Sequence, residues 1–285
     1  MINFGVLGPL QCCIDGTGAV PSAPKQRQLL ALLLMNANRA ISVDYCIEEL
    51  WETTPPASAA STLQTYVMQL RKCLGEHSSN PGRGATRLET RERGYQLHVE
   101  PGEFDVDVFE DKVRLARLAL AAEDDERADA ALRAALAVWR GPVFSDIKPG
   151  PVLAMWATSL NEVRLSILEH RIEVDLRLGR HRELIGELSG MVQRSPLLES
   201  LHAHLIIALY RSGRQAHALQ VYERLRHRLA EELGLEPTPT LQQLHHQVLC
   251  SAPELAAPPT VDAAARYSAE LIAGRIRSSL VPACG

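Results

Sequence analysis

In the stretch STLQTYVMQLRKCLG (61–75), Ser61, Thr62, Thr65, Gln69 and Lys72 fall on one side of a helix-period pattern, with Gln64, Met68 and Arg71 flanking them. Such a row can read the groove of a nucleic-acid duplex, where short amides and hydroxyls face base edges while cations and hydroxyls hold phosphates. Gln69 can pair in bidentate fashion with adenine, and the Thr65 methyl can touch a thymine methyl, each match discriminating by about 1–3 kcal/mol. Thr62, Gln64, Thr65 and Gln69 are therefore candidate base contacts, and Ser61, Tyr66, Arg71 and Lys72 candidate phosphate contacts. A helix side needed only for solubility usually carries charge rather than an uncharged Ser/Thr/Gln row.

The opposite side of the same segment carries Leu63, Val67, Leu70 and Leu74 at i, i+4, i+7 and i+11. This spacing predicts a helix over 58–74, held down by that stripe and C-capped by Gly75. Upstream, INFGVL (2–7) and LQCCI (10–14) predict a small antiparallel sheet around Gly8-Pro9 and Asp15-Gly16. Pro24 opens a first helix with Leu29, Leu30, Leu33 and Leu34 inward, closed by Asn36, Ala37 and Asn38. Ser42 or Asp44 caps a second helix with Ile47, Leu50 and Trp51 inward, and TTPP (53–56) breaks it. After a Ser/Gly/Pro/Asn loop (77–84), TRLET (86–90) and YQLHV (95–99) predict a hairpin with Arg91 and Arg93 at its tip. Sheet, three helices and hairpin are the order of a winged helix-turn-helix, here residues 1–103, with the hairpin as its wing. Residues 61–93 hold six Lys/Arg against three Asp/Glu, so the basic stretch covers the third helix and the wing. Lys25 and Arg27, near the start of the first helix, suit phosphate contact and plain exposure equally.

Beyond FDVDVFE (104–110) the pattern is helical almost throughout, which predicts an all-α domain over 104–250 and makes the chain mainly α. Gly179 and Gly213 stand 34 residues apart, each between two apolar helical runs. Ala218 and Tyr222 follow the second glycine where small and aromatic residues interlock paired helices, and Leu184 and Leu188 replace them after the first. This is tetratricopeptide-like repeat logic. An earlier pair, roughly 107–139, turns on AEDDER (122–127), read as a solvated acidic turn, and its link RGPVFSDIKPGP (140–151) is longer than the period allows. A last helix starts near Thr240, after Gly234 and two prolines. Residues 251–285 form an Ala/Pro-rich tail, with 251–260 a linker and 261–278 either a short helix or loose chain.

Composition narrows the classes further. The chain of 285 residues is 46% hydrophobic and 22% charged, with a formal net charge of −4. That balance argues against bulk electrostatic capture of nucleic acid and places weight on the local basic stretch. No run approaches 18 apolar residues and no signal peptide is read, so the expectation is a cytoplasmic protein without a membrane contact. Six cysteines, at 12, 13, 46, 73, 250 and 284, show no C-x-x-C pair and no zinc spacing, and Cys46 and Cys73 read as small apolar residues on helix faces. His202 and His204, and His245 and His246, are not spaced as ligands on one helix face. No phosphate loop, dinucleotide fingerprint, metalloprotease motif or nucleophile elbow is present. No metal, cofactor or catalytic residue is expected.

Five segments carry a family resemblance: FGVLGPL (4–10), KQRQLLALLLMNANRAIS (25–42), ELWETTPPASAASTLQTYVMQLRKCLG (49–75), RGYQL (93–97) and LAEELGLEPTPTLQQLHHQVL (229–249). Over about residues 2–250 the chain resembles the Streptomyces antibiotic regulatory protein family. Its first part is similar to an OmpR-type winged helix domain and its last segment to the close of the bacterial transcriptional activation domain. The resemblance implies an activator that binds direct repeats near promoters of a secondary-metabolite gene cluster and contacts RNA polymerase. It implies bases opposite Thr65 and Gln69, phosphates at Ser61, Tyr66 and Arg71, and a wing role for Arg91 or Arg93. Regulators of the wider OmpR type often carry arginines where this chain has Met68 and Gln69. The chain thus has fewer phosphate contacts, which favours cooperative binding as a dimer. No receiver or ATPase domain is read in the sequence. The alternative is a protein-binding adaptor that uses the helical repeats, with the winged helix as a docking fold.

Overall fold

The computed structural model describes residues 2–76, 87–252 and 255. The readings made for the loop around Arg83 and for the tail beyond residue 252, save Leu255, lie outside the described residues. Strands β1 (Ile2–Gly5), β2 (Gln11–Ile14) and β3 (Thr17–Gly18) form an antiparallel sheet with Phe4 opposite Cys12. Helix α1 (Pro24–Met35) starts with proline in its first turn, and every residue from Gln28 to Met35 is buried. It is therefore the central helix of the unit rather than a surface helix with one apolar stripe.

Strand β4 (Ala40–Ser42) leads directly into α2 (Val43–Trp51). Of the two capping choices, Ser42 is the one used: its Oγ accepts from the Tyr45 N–H at 3.1 Å. Helix α3 spans Ala59–Glu76, so Gly75 lies inside the helix and does not cap it. The hairpin β5 (Leu88–Arg91) and β6 (Gly94–Leu97) joins β4 in a sheet of order β4-β6-β5. β4 is absent from the sequence reading because three residues are too few to show alternation.

Seven further helices follow among the described residues: α4 (Asp105–Ala121), α5 (Asp125–Leu136), α6 (Pro151–Arg177), α7 (His181–Arg194), α8 (Glu199–Arg211), α9 (Gln215–Leu233) and α10 (Pro239–Leu249). The compact units do not follow sequence order. One runs through Arg114 and takes in Ala134–Arg164; the other holds Leu115–Arg133 and the described residues from Leu165. The long link between α5 and α6 thus belongs to the winged-helix unit, which is why it exceeds the repeat period.

Within the first unit that link is held by backbone and carboxylate. Arg140 N–H donates to the Leu7 carbonyl at 2.7 Å and Phe144 N–H to that of Val6 at 3.2 Å. Asp105 accepts from the N–H groups of Val6 and Leu7 at 2.9 Å and from Arg140 at 2.9 Å. Burial pushes its carboxyl above the usual range against the pull of those donors. Asp146 accepts from Leu10 N–H at 2.7 Å.

The most enclosed of these carboxylates is Glu49. It is fully buried and accepts from the N–H groups of Gly150 at 2.7 Å, Val152 at 2.9 Å and Leu153 at 3.1 Å. These are open donors at the start of α6, where the negative charge also meets the positive end of the helix dipole. Pro151 has no N–H to offer. Gly150 is required here, because a Cβ would lie 2.1 Å from the Glu49 carbonyl oxygen.

In the second unit Ile172, Leu176, Leu184, Leu188, Leu205, Ala218, Tyr222 and Leu225 share one core with Leu241, Leu244 and Val248. Both copies of the repeat signature are inward, and Gly179 and Gly213 close their helices with φ of 77° and 76°. The acidic turn is not simply solvated: Asp125 accepts from Arg177 at 2.6 Å, and Asp124 caps α5 by accepting from Arg127 N–H at 3.0 Å. Nearby, buried Asp175 accepts from Arg133, Arg171 and Arg180 at 2.6–3.1 Å, and Arg133 also donates to Asp129. The histidines pack against helices: His202 meets the Pro196 carbonyl at 3.0 Å, and His245 stacks on Tyr222 at 3.9 Å.

Two outcomes are expected. Glu49→Ala leaves three buried N–H groups without acceptors and should cost about 3 kcal/mol or more, with Glu49→Gln nearer 1.5–3 kcal/mol. Urea unfolding at unchanged slope checks this, and a loss under about 0.5 kcal/mol for the alanine variant would refute the cap. Burial alone would raise the Asp129 carboxyl, but hydrogen bonds and charge from Arg180 and Arg133 outweigh it and hold it below the usual range. A depressed folded pKa stabilises above the unfolded value of about 3.9, and that stability is lost as pH falls through the folded value. The stability gap between wild type and Asp129→Asn should be constant above about pH 4 and close in stronger acid. A gap unchanged to the lowest pH at which both fold would contradict the assignment.

Candidate nucleic-acid interface

The four stripe residues Leu63, Val67, Leu70 and Leu74 are buried against the first unit, at most 1% exposed, which fixes the rotation of α3 about its axis. Tyr66 stacks on Trp51 of α2 with ring centroids 6.3 Å apart and 16° between planes, which fixes the two helices against each other. Ser61, Gln64, Thr65, Met68, Gln69 and Lys72 are consequently presented to solvent. Of the base candidates, Thr62 is half-buried and the other three are exposed.

The hydroxyls on this side are partly engaged within the helix. Ser61 Oγ donates to the Ser58 carbonyl at 2.9 Å and Thr65 Oγ1 to that of Ser61 at 3.0 Å. Each oxygen keeps lone pairs for an incoming donor. Met68, 62% exposed, adds an apolar surface in the middle of the row.

The cations divide differently from the sequence reading. Arg71, read as a phosphate contact, donates from Nε to the Leu88 carbonyl at 2.8 Å and from a terminal nitrogen to Thr90 Oγ1 at 2.7 Å. It braces the wing strand β5 against α3. Lys25 donates to the Leu50 carbonyl at the end of α2 and to Gln28 Oε1 at 3.3 Å. Arg27 is ion-paired with Asp146. For both, the choice between phosphate contact and exposure gives way to a third role in packing, because each lies beside a carbonyl or carboxylate that needs a donor. Arg87 pairs with Glu103 through both terminal nitrogens at 2.5 and 3.0 Å.

Lys72, Arg91 and Arg93 are exposed. Arg91 lies 2.7 Å from Glu89 and donates to Gln96 at 2.9 Å along the wing, whereas the Arg93 guanidinium has no partner among the described residues. Gly94 allows β6 to lie close against β4, since a Cβ there would fall 1.8 Å from the Ile41 carbonyl oxygen.

One residue of this surface went unread in the sequence. Gln26, in the first turn of α1, donates from Nε2 to Gln69 Oε1 across 43 positions of chain. No local pattern signals such a pair. The cysteine reading concerns the same helices: Cys46 is buried, which pushes its thiol up to about 12, and Cys73 donates to the Ala19 carbonyl at 3.0 Å.

Comparisons with known proteins bear on the whole chain. The family model of the bacterial transcriptional activator domain matches residues 104–249, and that of the C-terminal domain of transcriptional regulatory proteins matches 17–97. The chain is 41% identical over 256 residues to regulatory protein DnrI of Streptomyces peucetius, a match covering 88% of this chain and 93% of that protein. It is 37% identical to transcriptional regulatory protein EmbR of Mycobacterium tuberculosis, covering 88% of this chain and 64% of that one. Against regulatory protein AfsR of Streptomyces coelicolor it is 39% identical, covering 90% of this chain and 25% of that protein. A solved structure, Mycobacterium tuberculosis EmbR in complex with a low affinity phosphopeptide, superposes with a TM-score of 0.82 at 37% identity, covering 91% of this chain and 66% of that chain.

The brace at Arg71 yields a direct expectation. Arg71→Ala should lower stability by about 1–3 kcal/mol and speed amide exchange along Leu88–Arg91, because it strips a donor from a backbone carbonyl. Unchanged exchange along β5 would show that Arg71 is free for another role.

Proposed function

The chain belongs to the Streptomyces antibiotic regulatory protein family, joining an OmpR-type winged helix to a bacterial transcriptional activator domain, and on that premise we propose that it is a promoter-binding transcriptional activator. In this reading α3 enters the major groove, Gln64, Thr65 and Gln69 meet base edges with Thr62 at their margin, and Met68 contacts thymine methyls. Ser61, Tyr66 and Lys72 meet backbone from the helix, and Arg91 and Arg93 from the wing. The observation that carries the reading is the exposed, mostly uncharged row on α3, held in one rotation by four buried residues on its other side.

Few cations remain on that surface, because Lys25, Arg27, Arg71 and Arg87 are tied internally. Non-specific affinity is therefore modest, and two copies on direct repeats would supply what one lacks. The helical repeats of the second unit offer the surface for RNA polymerase, and a secondary-metabolite gene cluster is the target class that the family resemblance suggests. The same internal use of cations favours a second reading, an adaptor in which the winged helix docks protein. For either reading the cytoplasm is the proposed location; among the described residues no helix is long and apolar enough to cross a membrane.

Footprinting upstream of neighbouring genes, followed by salt titration, separates the two readings. The cations exposed on α3 and the wing predict a negative slope of log affinity against log salt, at about 0.9 for each phosphate they meet. Arg93→Ala should reduce the slope by about 1 with stability unchanged. No footprint, or equal affinity for scrambled duplex, would favour the adaptor.

A further inference from the structure

The wing carries Arg91 and Arg93, and the fold places them in different company. Successive residues of a strand face opposite sides of the sheet. In β5 the side turned to α3 holds Leu88, which is buried, and Thr90, whose Oγ1 accepts from Arg71 at 2.7 Å. Glu89 and Arg91 therefore share the other side. There a terminal nitrogen of Arg91 lies 2.7 Å from Glu89 Oε2, and its Nε donates to Gln96 Oε1 at 2.9 Å. Gln96 stands opposite Glu89 in the strand register, and its Nε2 donates to the Asn38 carbonyl at 3.1 Å. An amide set between a guanidinium, which only donates, and a carbonyl, which only accepts, has a single orientation. The other oxygen of Glu89 lies 3.3 Å from His98 Nε2. Arg91 is thus held along the strand by a carboxylate and by an amide tied to the frame. Arg93, in the turn, has no partner among the described residues.

Charge follows the same division. A lone guanidinium attracts a phosphate as a full positive charge, whereas one with a carboxylate at 2.7 Å acts at a distance as a dipole, whose pull falls off faster. The side chains of Glu89 and Arg91 are 38% and 49% exposed, so water screens the pair and it is weak, worth a factor of about five at most. A duplex phosphate can displace the carboxylate, but Arg91 meets that phosphate only by giving up Glu89. Phosphate contacts carry no sequence information. Restraint on one of them acts on every sequence alike and leaves base preference untouched.

We infer that Glu89 sets the affinity of the wing for duplex DNA: it holds Arg91 back, and Arg93 makes the wing's principal phosphate contact. The inference rests on the proposed reading of the wing as a backbone contact and adds to it an acidic residue that opposes that contact. Glu89 acts through Arg91 and is a positioning residue.

The test uses the full chain, with a duplex carrying the footprinted site and a scrambled duplex of the same length. Glu89→Gln keeps the shape and an acceptor oxygen while removing the charge. It should tighten binding to both duplexes about two- to fivefold, the range of an exposed ion pair that no longer has to be given up, and steepen the salt slope by up to about 0.9. A residue that merely shaped the wing would weaken binding when changed. Arg91→Ala should lower the wild-type slope by no more than about half as much as Arg93→Ala does, and by about as much in the Glu89→Gln background. Glu89→Gln/Arg91→Ala should bind like Arg91→Ala alone, since the two residues act as one unit. Base preference and the urea midpoint should stay at wild-type values. If the gain from Glu89→Gln persists undiminished alongside Arg91→Ala, Glu89 repels the duplex on its own account and the inference fails. It fails equally if Glu89→Gln leaves affinity and slope unchanged, or if Arg91→Ala and Arg93→Ala lower the wild-type slope alike; in each of these cases the footprint and the base contacts stand. A wild-type chain that leaves no footprint and binds neither duplex in a salt-dependent way refutes the wing reading itself, and the inference with it.

Discussion

The winged-helix unit is organised around a negative charge with no access to water. The Glu49 carboxylate would be prohibitively costly in an apolar interior if left unpaired. Here it takes three N–H groups from the start of α6, and Gln28 donates to its Oε1 at 2.9 Å and to its backbone carbonyl at 2.7 Å. A charge so placed demands that α1, α2 and the first turn of α6 arrive at one point. The constraint extends outward: Gly150 must lack a side chain, Pro151 must begin the helix, and the link before it must reach back far enough to deliver them. Asp105 and Asp146 repeat the device around β1 and β2, where their carboxylates accept otherwise open backbone donors.

This arrangement determines where the cations go. Arg27 and Arg140 answer the buried or half-buried carboxylates, Arg87 answers Glu103, and Lys25 and Arg71 answer carbonyls at a helix end and in a wing strand. The basic residues of the first unit serve largely to shape it, and the exposed side of α3 carries amides, hydroxyls and a thioether, with Lys72 beside them. Such a surface carries directional hydrogen-bonding groups and little charge, and in the proposed reading it would contribute more to sequence discrimination than to general attraction for a polyanion.

What the sequence discloses follows from the range of each interaction. The stripe on α3 was legible because one helix period contains it, and the paired glycines because each closes its own helix. Gly75 misled, since a glycine near the end of an apolar pattern is read as a cap, yet α3 continues through it. Glu49 looks like any acid on an amphipathic helix, and its partners at the start of α6 lie 101–104 positions away. Arg71 reads as a contact to an outside partner, and Lys25 and Arg27 as contact or plain exposure alike, because the carbonyls and carboxylates that hold them belong to other elements. Gln26 was invisible for the same reason. Local periodicity identifies what is buried; only the assembled fold shows which polar groups are already answered.

The link over 140–150 also bears on how such a regulator can be divided. The matches to family models leave a natural seam between residues 97 and 104, and a chimera builder would cut there. A winged helix severed at that seam loses the donors of Glu49 and the acceptors at Asp105 and Asp146. The compact unit that holds the winged helix is a discontinuous piece, residues through Arg114 together with Ala134–Arg164. Swapping effectors among proteins built this way calls for replacing an insertion and a downstream segment together, not for exchanging two beads on a string.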